Sequence, residues 1–357
     1  MHGLSKGFCI LLLVSIFAGG CQPHNDDRAP EKPVYEATTV AACLAYPIPE
    51  SDNLIYCSTF QIAWNELKND IIKADITMEE ESPIVGLLNE GMVGTVGEDD
   101  HVALAGFGRD RVVEAINSEL KRKFAESAPS VEITLEDDEI LAYAYLFKNL
   151  LFAEEFEELE EPVFFQGSED ADVEVFGIKK FDRELHDAMG KQVRILDYKD
   201  DLDFVLELTT TSSNDVMVLA MVEPERTLLE TFKAIEERIG TTQPASLEKD
   251  DVLKIPKIRF DIDHSYDELL NKMLKNDGFT EYFIARAQQS ILFKLDERGA
   301  LLESEAEIIL KKNGSEARYF VFNQPFMLYL KQKGAEYPYL AVWIHHPELL
   351  VKAENKE

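Results

Sequence analysis

ILFKLDERGALLESEAEIILKKNGSEARYFVFNQPFMLYLKQKGAEYPYLAVWIHHP, residues 291–347, is the stretch on which the fold turns. Short apolar or alternating runs fill it: Ile291 to Leu295, Ala306 to Lys311, Arg318 to Phe322, Met327 to Leu330 and Tyr339 to Ile344. Each has the length and β-branched or aromatic content of a strand. With a period of two, Ala300, Leu302, Ser304, Ala306 and Ile308 share one face, and Glu303, Glu305 and Glu307 share the other. Asn313-Gly314 stands between EIILKK and SEARYFVF, and Asn-Gly between alternating strands is the strongest short hairpin signal. A tight hairpin there ties these residues into a ladder. The competing reading leaves Lys311, Lys312 and Asn313 on an exposed loop, and the hairpin ranks first.

Working upstream, Val252 to Ile262 reads as a strand and Tyr266 to Leu274 as a short helix. Val193 to Leu208 and Val216 to Val222 are strand-like, and Arg226 to Ile239 is an amphipathic helix. Ile140 to Phe147 is a nearly continuous apolar run, as expected of a strand buried on both faces. Helical spacing returns over Arg109 to Phe124 and over Asn53 to Ala74, where Ile62, Trp64, Leu67 and Ile71 are candidate buried positions. The interval 75–139 is otherwise weakly patterned, and Gly91, Gly94 and Gly97 mark loops in it.

Composition bounds the function. Acidic residues outnumber basic ones 68 to 36, a formal charge of -32. Such a surface repels phosphate backbones, so nucleic acid is excluded as a partner class. The histidines fall in no His-Glu-x-x-His frame and the cysteines in no Cys-x-x-Cys frame, so no metal is expected. The glycines precede no Lys-Ser or Lys-Thr, and no Gly-x-Ser-x-Gly elbow occurs. The chain is read as a non-enzyme without a cofactor. The acidic run Glu154 to Glu161 is read as a solvated face.

The first twenty residues read as a targeting segment. Lys6 precedes the uncharged run Phe8 to Phe17, too short for a permanent membrane span, and Ala18, Gly19 and Gly20 precede Cys21. This arrangement resembles the bacterial lipobox, which implies lipid attachment at Cys21 and loss of residues 1–20. Ordinary cleavage at the same place is the competing reading and ranks second. Residues 21–34 then form a polar, proline-containing tether, 35–350 one domain and 351–357 a tail. Export to the cell envelope follows, with Gln22 favouring the outer membrane. Only Cys43 and Cys57 then remain, either paired or buried as small apolar groups.

Several segments resemble one family in order and spacing. ILFKLDERGALLESEAEIIL resembles the serpin strand that runs into the hinge of the reactive loop, and FNQPFMLYLKQKGAEYPYLAVWIHHP resembles the serpin C-terminus. VLKIPKIRFDIDHSYDELLNKML, ILDYKDDLDFVLELT, VMVLAMVEPERTLLETFKAIEERI, LAYAYLFKNLLFAEEF and NLIYCSTFQIAWNEL resemble the segments before them. The resemblance implies an α+β serpin-like fold: a large central mixed β-sheet with helices and a C-terminal β-region.

It also implies a mechanism. A serine-type protease cleaves an exposed loop, and the cut loop enters the main sheet as a new strand. The hinge would comprise Glu297, Arg298, Gly299, Ala300, Leu302, Ser304 and Ala306. Residues entering a packed sheet must be small, and Leu302 stands where a small residue is expected; overpacking typically costs about 1–3 kcal/mol. Lys311 and Lys312 lie near the expected cleavage point and point to a trypsin-like partner. Cys57, Phe60 and Gln289 stand where the family controls sheet opening. The two functional readings are a monomeric protease inhibitor and a non-inhibitory binding module whose loop has become a hairpin.

Overall fold

The computed structural model describes residues 33–80, 82–125, 128–299 and 317–353 and the backbone path of 8–15. Cys21, Ala300, Leu302, Ser304, Ala306, Lys311, Lys312, Asn313 and Gly314 lie outside the described residues, and so does the strand expected over Ala306 to Lys311. The chain divides into two compact units.

The first unit comprises Met1–Val34, Cys57–Lys148 and Asp261–Leu292. Its helices are α1 (Thr59–Glu66), α2 (Pro83–Asn89) and α3 (Val112–Phe124). A π-helical turn, Leu67–Ile72, continues α1 and ends at Lys73 in the left-handed conformation. The sheet that carries this unit runs β12-β13-β1-β5-β4. Its strands are β1 (Phe8–Ser15), β4 (His101–Phe107), β5 (Ile140–Leu146), β12 (Ile258–Ser265) and β13 (Tyr282–Leu295).

Every residue of β5 is buried. Leu141, Tyr143 and Tyr145 share the face covered by α3, packing with Ile116 and Leu120. Ala142 and Ala144 alternate with them and point the other way, and their small size lets α1 approach the strand closely. The apolar run Phe8–Ser15 lies between β5 and β13, parallel to both, with Leu12 opposite Ala142 on one side and Ala287 on the other. β5 and β13 therefore do not pair with each other.

The second unit comprises Tyr35–Tyr56, Asn149–Phe260 and Phe293–Glu357. One sheet of seven strands runs β2-β3-β16-β15-β10-β9-β8. These are β2 (Thr38–Ala41), β3 (Asn53–Cys57), β8 (Val193–Asp200), β9 (Asp203–Leu208), β10 (Asp215–Met221), β15 (Phe326–Gln332) and β16 (Leu340–Ile344). Helix α5 (Leu228–Gly240) seats Leu228, Phe232 and Ile235 on this sheet against Val218, Tyr329 and Trp343. Its N-terminus is set by Thr227, whose Oγ1 accepts from the Glu230 N–H at 3.1 Å, as helix capping requires.

A sheet of four strands runs β14-β11-β7-β6, from β6 (Glu157–Gln166), β7 (Asp170–Ile178), β11 (Val252–Pro256) and β14 (Tyr319–Val321). A shift of register between Leu159 and Val163 in β6 spans Pro162, which has no N–H to give to a ladder. α4 (Arg183–Gly190) follows β7.

Most expected elements form, with instructive differences. The helix read over Asn53 to Ala74 begins as β3, because Leu54 to Cys57 are buried on both faces and pair in the sheet. The helix read over Tyr266 to Leu274 is only a 3-10 turn, Asp267–Leu269, with Asn271 at positive φ. The strand read from Ile291 starts at Tyr282, a region whose alternation is masked by Arg286, Gln288 and Gln289. Cys43 and Cys57 are both buried thiols rather than a disulfide.

Ile116 is fully buried between α3 and β5. Ile116→Ala is expected to lower unfolding stability by about 2–5 kcal/mol, read as a shift in denaturant midpoint without change in slope.

Candidate functional site

Gln289, on β13 beside the β1 position, is fully buried. A buried primary amide is costly unless its donors and acceptor are matched. Its Nε2 donates to the Cys57 carbonyl at 3.0 Å and to Thr59 Oγ1 at 2.9 Å, and its Oε1 accepts from the Tyr266 hydroxyl at 2.6 Å. The Tyr266 ring lies 4.0 Å from Phe60 and 4.6 Å from His264, centre to centre. Cys57, Phe60 and Gln289, expected together from sequence, do meet here.

Thr59 and Tyr266 complete the cluster and were missed. Thr59 sits between Cys57 and Phe60, and local spacing marks Tyr266 only as the start of a helix. Burial pushes the Cys57 thiol up, and the Thr59 hydrogen bonds lower it only in part, so the sulfur is a packed, protonated group and not a nucleophile.

Glu297, Arg298 and Gly299, expected from the sequence as the start of a hinge, lie in the second unit. β13 ends at Leu295, and residues 296–299 form a tight turn in which Asp296 pairs with Gly299. Gly299 has φ +86°, and a Cβ there would lie 2.5 Å from the Leu150 carbonyl oxygen, so only glycine fits. The Phe156 N–H donates to the Glu297 carbonyl at 2.8 Å, and the Phe152 N–H to the Arg298 carbonyl at 3.2 Å.

Lys257, in the turn between β11 and β12, is the electrostatic centre of this corner. Its ammonium bridges Glu158, Glu297 at 3.3 Å and Glu174 at 3.6 Å. Burial pulls the Lys257 pKa down, but the Glu158 hydrogen bond and the Glu297 charge outweigh it and hold it above its ordinary value. Glu158 belongs to the run read as a solvated face, and this ion pair corrects that reading for this residue.

Arg318, just beyond residues 300–316, also has a buried partner. Arg318 donates from Nη2 to Asp251 Oδ2 at 2.6 Å and from its backbone N–H to Oδ1 at 3.1 Å, and the Asp251 side chain is 2% exposed. The guanidinium also lies over Phe320 at 5.5 Å and Tyr198 at 5.9 Å. The Tyr319 N–H donates to Asp201 Oδ1 at 3.1 Å. Burial and then the hydrogen bond to Asp201 push the Tyr198 phenol up to about 12. Glu297 and Arg318, flanking residues 300–316, thus both make partly or fully buried ion pairs, and the sequence alone singles out neither Lys257 nor Asp251.

By sequence, no protein family matches the chain and no curated protein matches it. By structure it is similar to solved serpins. The Manduca sexta serine protease inhibitor (serpin)-12 aligns over 85% of this chain and 95% of that one, with 12% identity and a TM-score of 0.50. Human thyroxine-binding globulin aligns over 83% and 92%, with 11% identity and a TM-score of 0.47. Serpin48 of the insect Tenebrio molitor aligns over 67% and 65%, with 12% identity and a TM-score of 0.40. The likeness to serpin-12 establishes the architecture: this chain has the α+β serpin fold.

Two outcomes follow. Lys257→Met removes the ammonium from Glu158 and from Glu297, which is 8% exposed and keeps only the longer pair to Arg298 at 3.9 Å. It is expected to cost about 3–5 kcal/mol in denaturant unfolding, with a Lys257→Met, Glu297→Leu double variant recovering much of the loss.

The second concerns pH. Burial lowers the His264 pKa below its ordinary 6.5, against the weaker pull of Glu268 and Asp267. The unfolded chain then binds the proton more readily than the folded one, so stability is full above about 6.5 and falls as pH drops below it. His264→Gln should flatten the stability–pH curve between about pH 6.5 and 5.

Proposed function

We propose that the chain traps serine-type proteases by taking its own 300–316 segment, once cleaved, as a strand between β5 and β13. The observation that carries this reading is the position of β1: β5 and β13 are separated by one strand, and each pairs with it along much of its length. A sheet whose central neighbours need a third strand is the physical requirement for insertion. A strand arriving from β13 through the Asp296–Gly299 turn would run antiparallel to both neighbours, the more stable ladder.

Lys311 and Lys312 make a trypsin-like enzyme the partner, because its S1 pocket takes a lysine. Export belongs to the same proposal. Residues 1–20 act as the leader and Cys21 as the lipid-anchored N-terminus, on the outer membrane. Once the leader has gone, β1 no longer fills the position between β5 and β13, and that position is available to the loop.

A second reading, a binding module that keeps the fold without the trap, has its own support. Opening the hinge breaks the Lys257–Glu297 pair, and the Gln289 cluster already has its hydrogen bonds satisfied. Leu302 and the glutamates of the segment add cost on insertion.

Incubation of the chain with trypsin, with and without residues 1–20, separates the two. The trapping reading expects an SDS-resistant adduct, formed faster by the shortened chain. Cleavage without an adduct supports the binding module instead.

A further inference from the structure

β4 closes one side of the sheet in the first unit and pairs with β5 alone. The two strands are antiparallel, with Ala103 opposite Ala144. The Phe147 N–H donates to the Asp100 carbonyl and the Gly108 N–H to the Glu139 carbonyl, each at 2.9 Å. Alternate residues of such a strand direct their backbone groups to opposite sides. Residues 102, 104 and 106 therefore bond to β5, while His101, Ala103, Ala105 and Phe107 turn their N–H and C=O groups outward. Lys123 of α3 reaches the first of these, its ammonium donating to the His101 carbonyl at 2.7 Å. Among the described residues nothing pairs with the outward groups of Ala103, Ala105 and Phe107.

Folded chains guard open edges with charge, proline or a bulge. β12, on the far side of the same sheet, carries Arg259, Asp261 and Asp263. β6, the edge of the four-stranded sheet, carries Pro162, a register shift and Glu157, Glu158, Glu160 and Glu161. β4 reads HVALAGF, without lysine, arginine, carboxylate or proline. A neutral edge of this length is a template for a further strand.

The flanks of β4 indicate which strand fits. The 3-10 turn Glu98–Asp100 precedes it and the 3-10 turn Gly108–Asp110 follows it. Asp99 and Arg109 are exposed, and among the described residues neither makes an ion pair. A second β4 laid antiparallel and centred on Leu104 sets Ala103 opposite Ala105 and His101 opposite Phe107. Every outward N–H then meets an outward C=O of the copy. The acidic turn meets the turn that carries Arg109, and Asp99 comes level with it. The arrangement has a two-fold axis and is complementary to itself.

We propose that β4 pairs edge to edge with β4 of a second copy of this chain, giving a dimer in place of the monomer expected from its sequence. The two five-stranded sheets become one continuous sheet. One strand pair buries less than a permanent dimer interface, so the association is reversible. The net charge of -32 on each copy opposes approach, so association is strongest at physiological salt or above, where the Debye length is about 8 Å or less.

The test is sedimentation of the full chain at micromolar concentrations and physiological salt, in reducing buffer. A monomer–dimer equilibrium is expected. Ala105→Pro removes an outward N–H and leaves the β4–β5 ladder intact, so the dimer should weaken about tenfold or more with the far-UV spectrum unchanged. Asp99→Arg should weaken it severalfold, and Asp99→Arg with Arg109→Asp should restore it. Leu104→Cys, with Cys9 and Cys21 changed to serine, reports the register without relying on the proline variant. The two Leu104 positions face each other as a non-hydrogen-bonded pair about 4.5 Å apart at Cα, within disulfide reach, so mild oxidation should link the copies covalently. A wild-type chain that stays monomeric, or a dimer that survives Ala105→Pro and gives no Leu104→Cys cross-link, would overturn the proposal.

Discussion

Two strands, β5 and β13, flank a single strand position in one sheet and do not bond to each other, so each needs a partner there for a row of backbone N–H and C=O groups. Unpaired and buried, such groups carry a penalty comparable to a lost hydrogen bond apiece. Everything else in the functional account follows from how that demand is met. Phe8–Ser15 meets it. β5 is buried on both faces by α1 and α3, so the strand beside it is drawn to uncharged or alternating sequences and away from continuous charge.

The polar groups around this position limit how freely the sheet changes. Gln289 ties β13 to the carbonyl of Cys57, to Thr59 and to Tyr266, and each of those bonds is made in a dry environment where losing one partner strands the other. At the end of β13, the Asp296–Gly299 turn depends on a glycine at positive φ and on the Lys257 ion pairs. Glu297 and Arg318, on either side of residues 300–316, each make a buried or partly buried ion pair.

Much of this was legible in the sequence, and the exceptions have physical causes. β5, α3, α5 and the C-terminal strands announce themselves because one periodicity dominates each. Asn53 to Cys57 was misread because apolar residues there run straight into a true helix, and only pairing in a sheet distinguishes the two. Tyr282 to Gln289 was missed because β13 carries Arg286 and Gln289, whose roles depend on residues far away in sequence. The Cys57, Phe60 and Gln289 grouping came from resemblance, while Tyr266 entered through a hydrogen bond that no local pattern encodes. Lys257 and Asp251 escaped notice for the same reason: in a chain this acidic, one paired charge looks like any other until its partner is seen to be buried.

Strand acceptance itself is open to direct measurement. Backbone hydrogen exchange on the chain without residues 1–20, before and after cleavage at Lys311 or Lys312, reads the ladders of β5 and β13 residue by residue. Cleavage is expected to slow exchange in Ile140–Leu146 and Tyr282–Leu295 and to raise the melting temperature. Unchanged or faster exchange in both strands after cleavage would contradict the account.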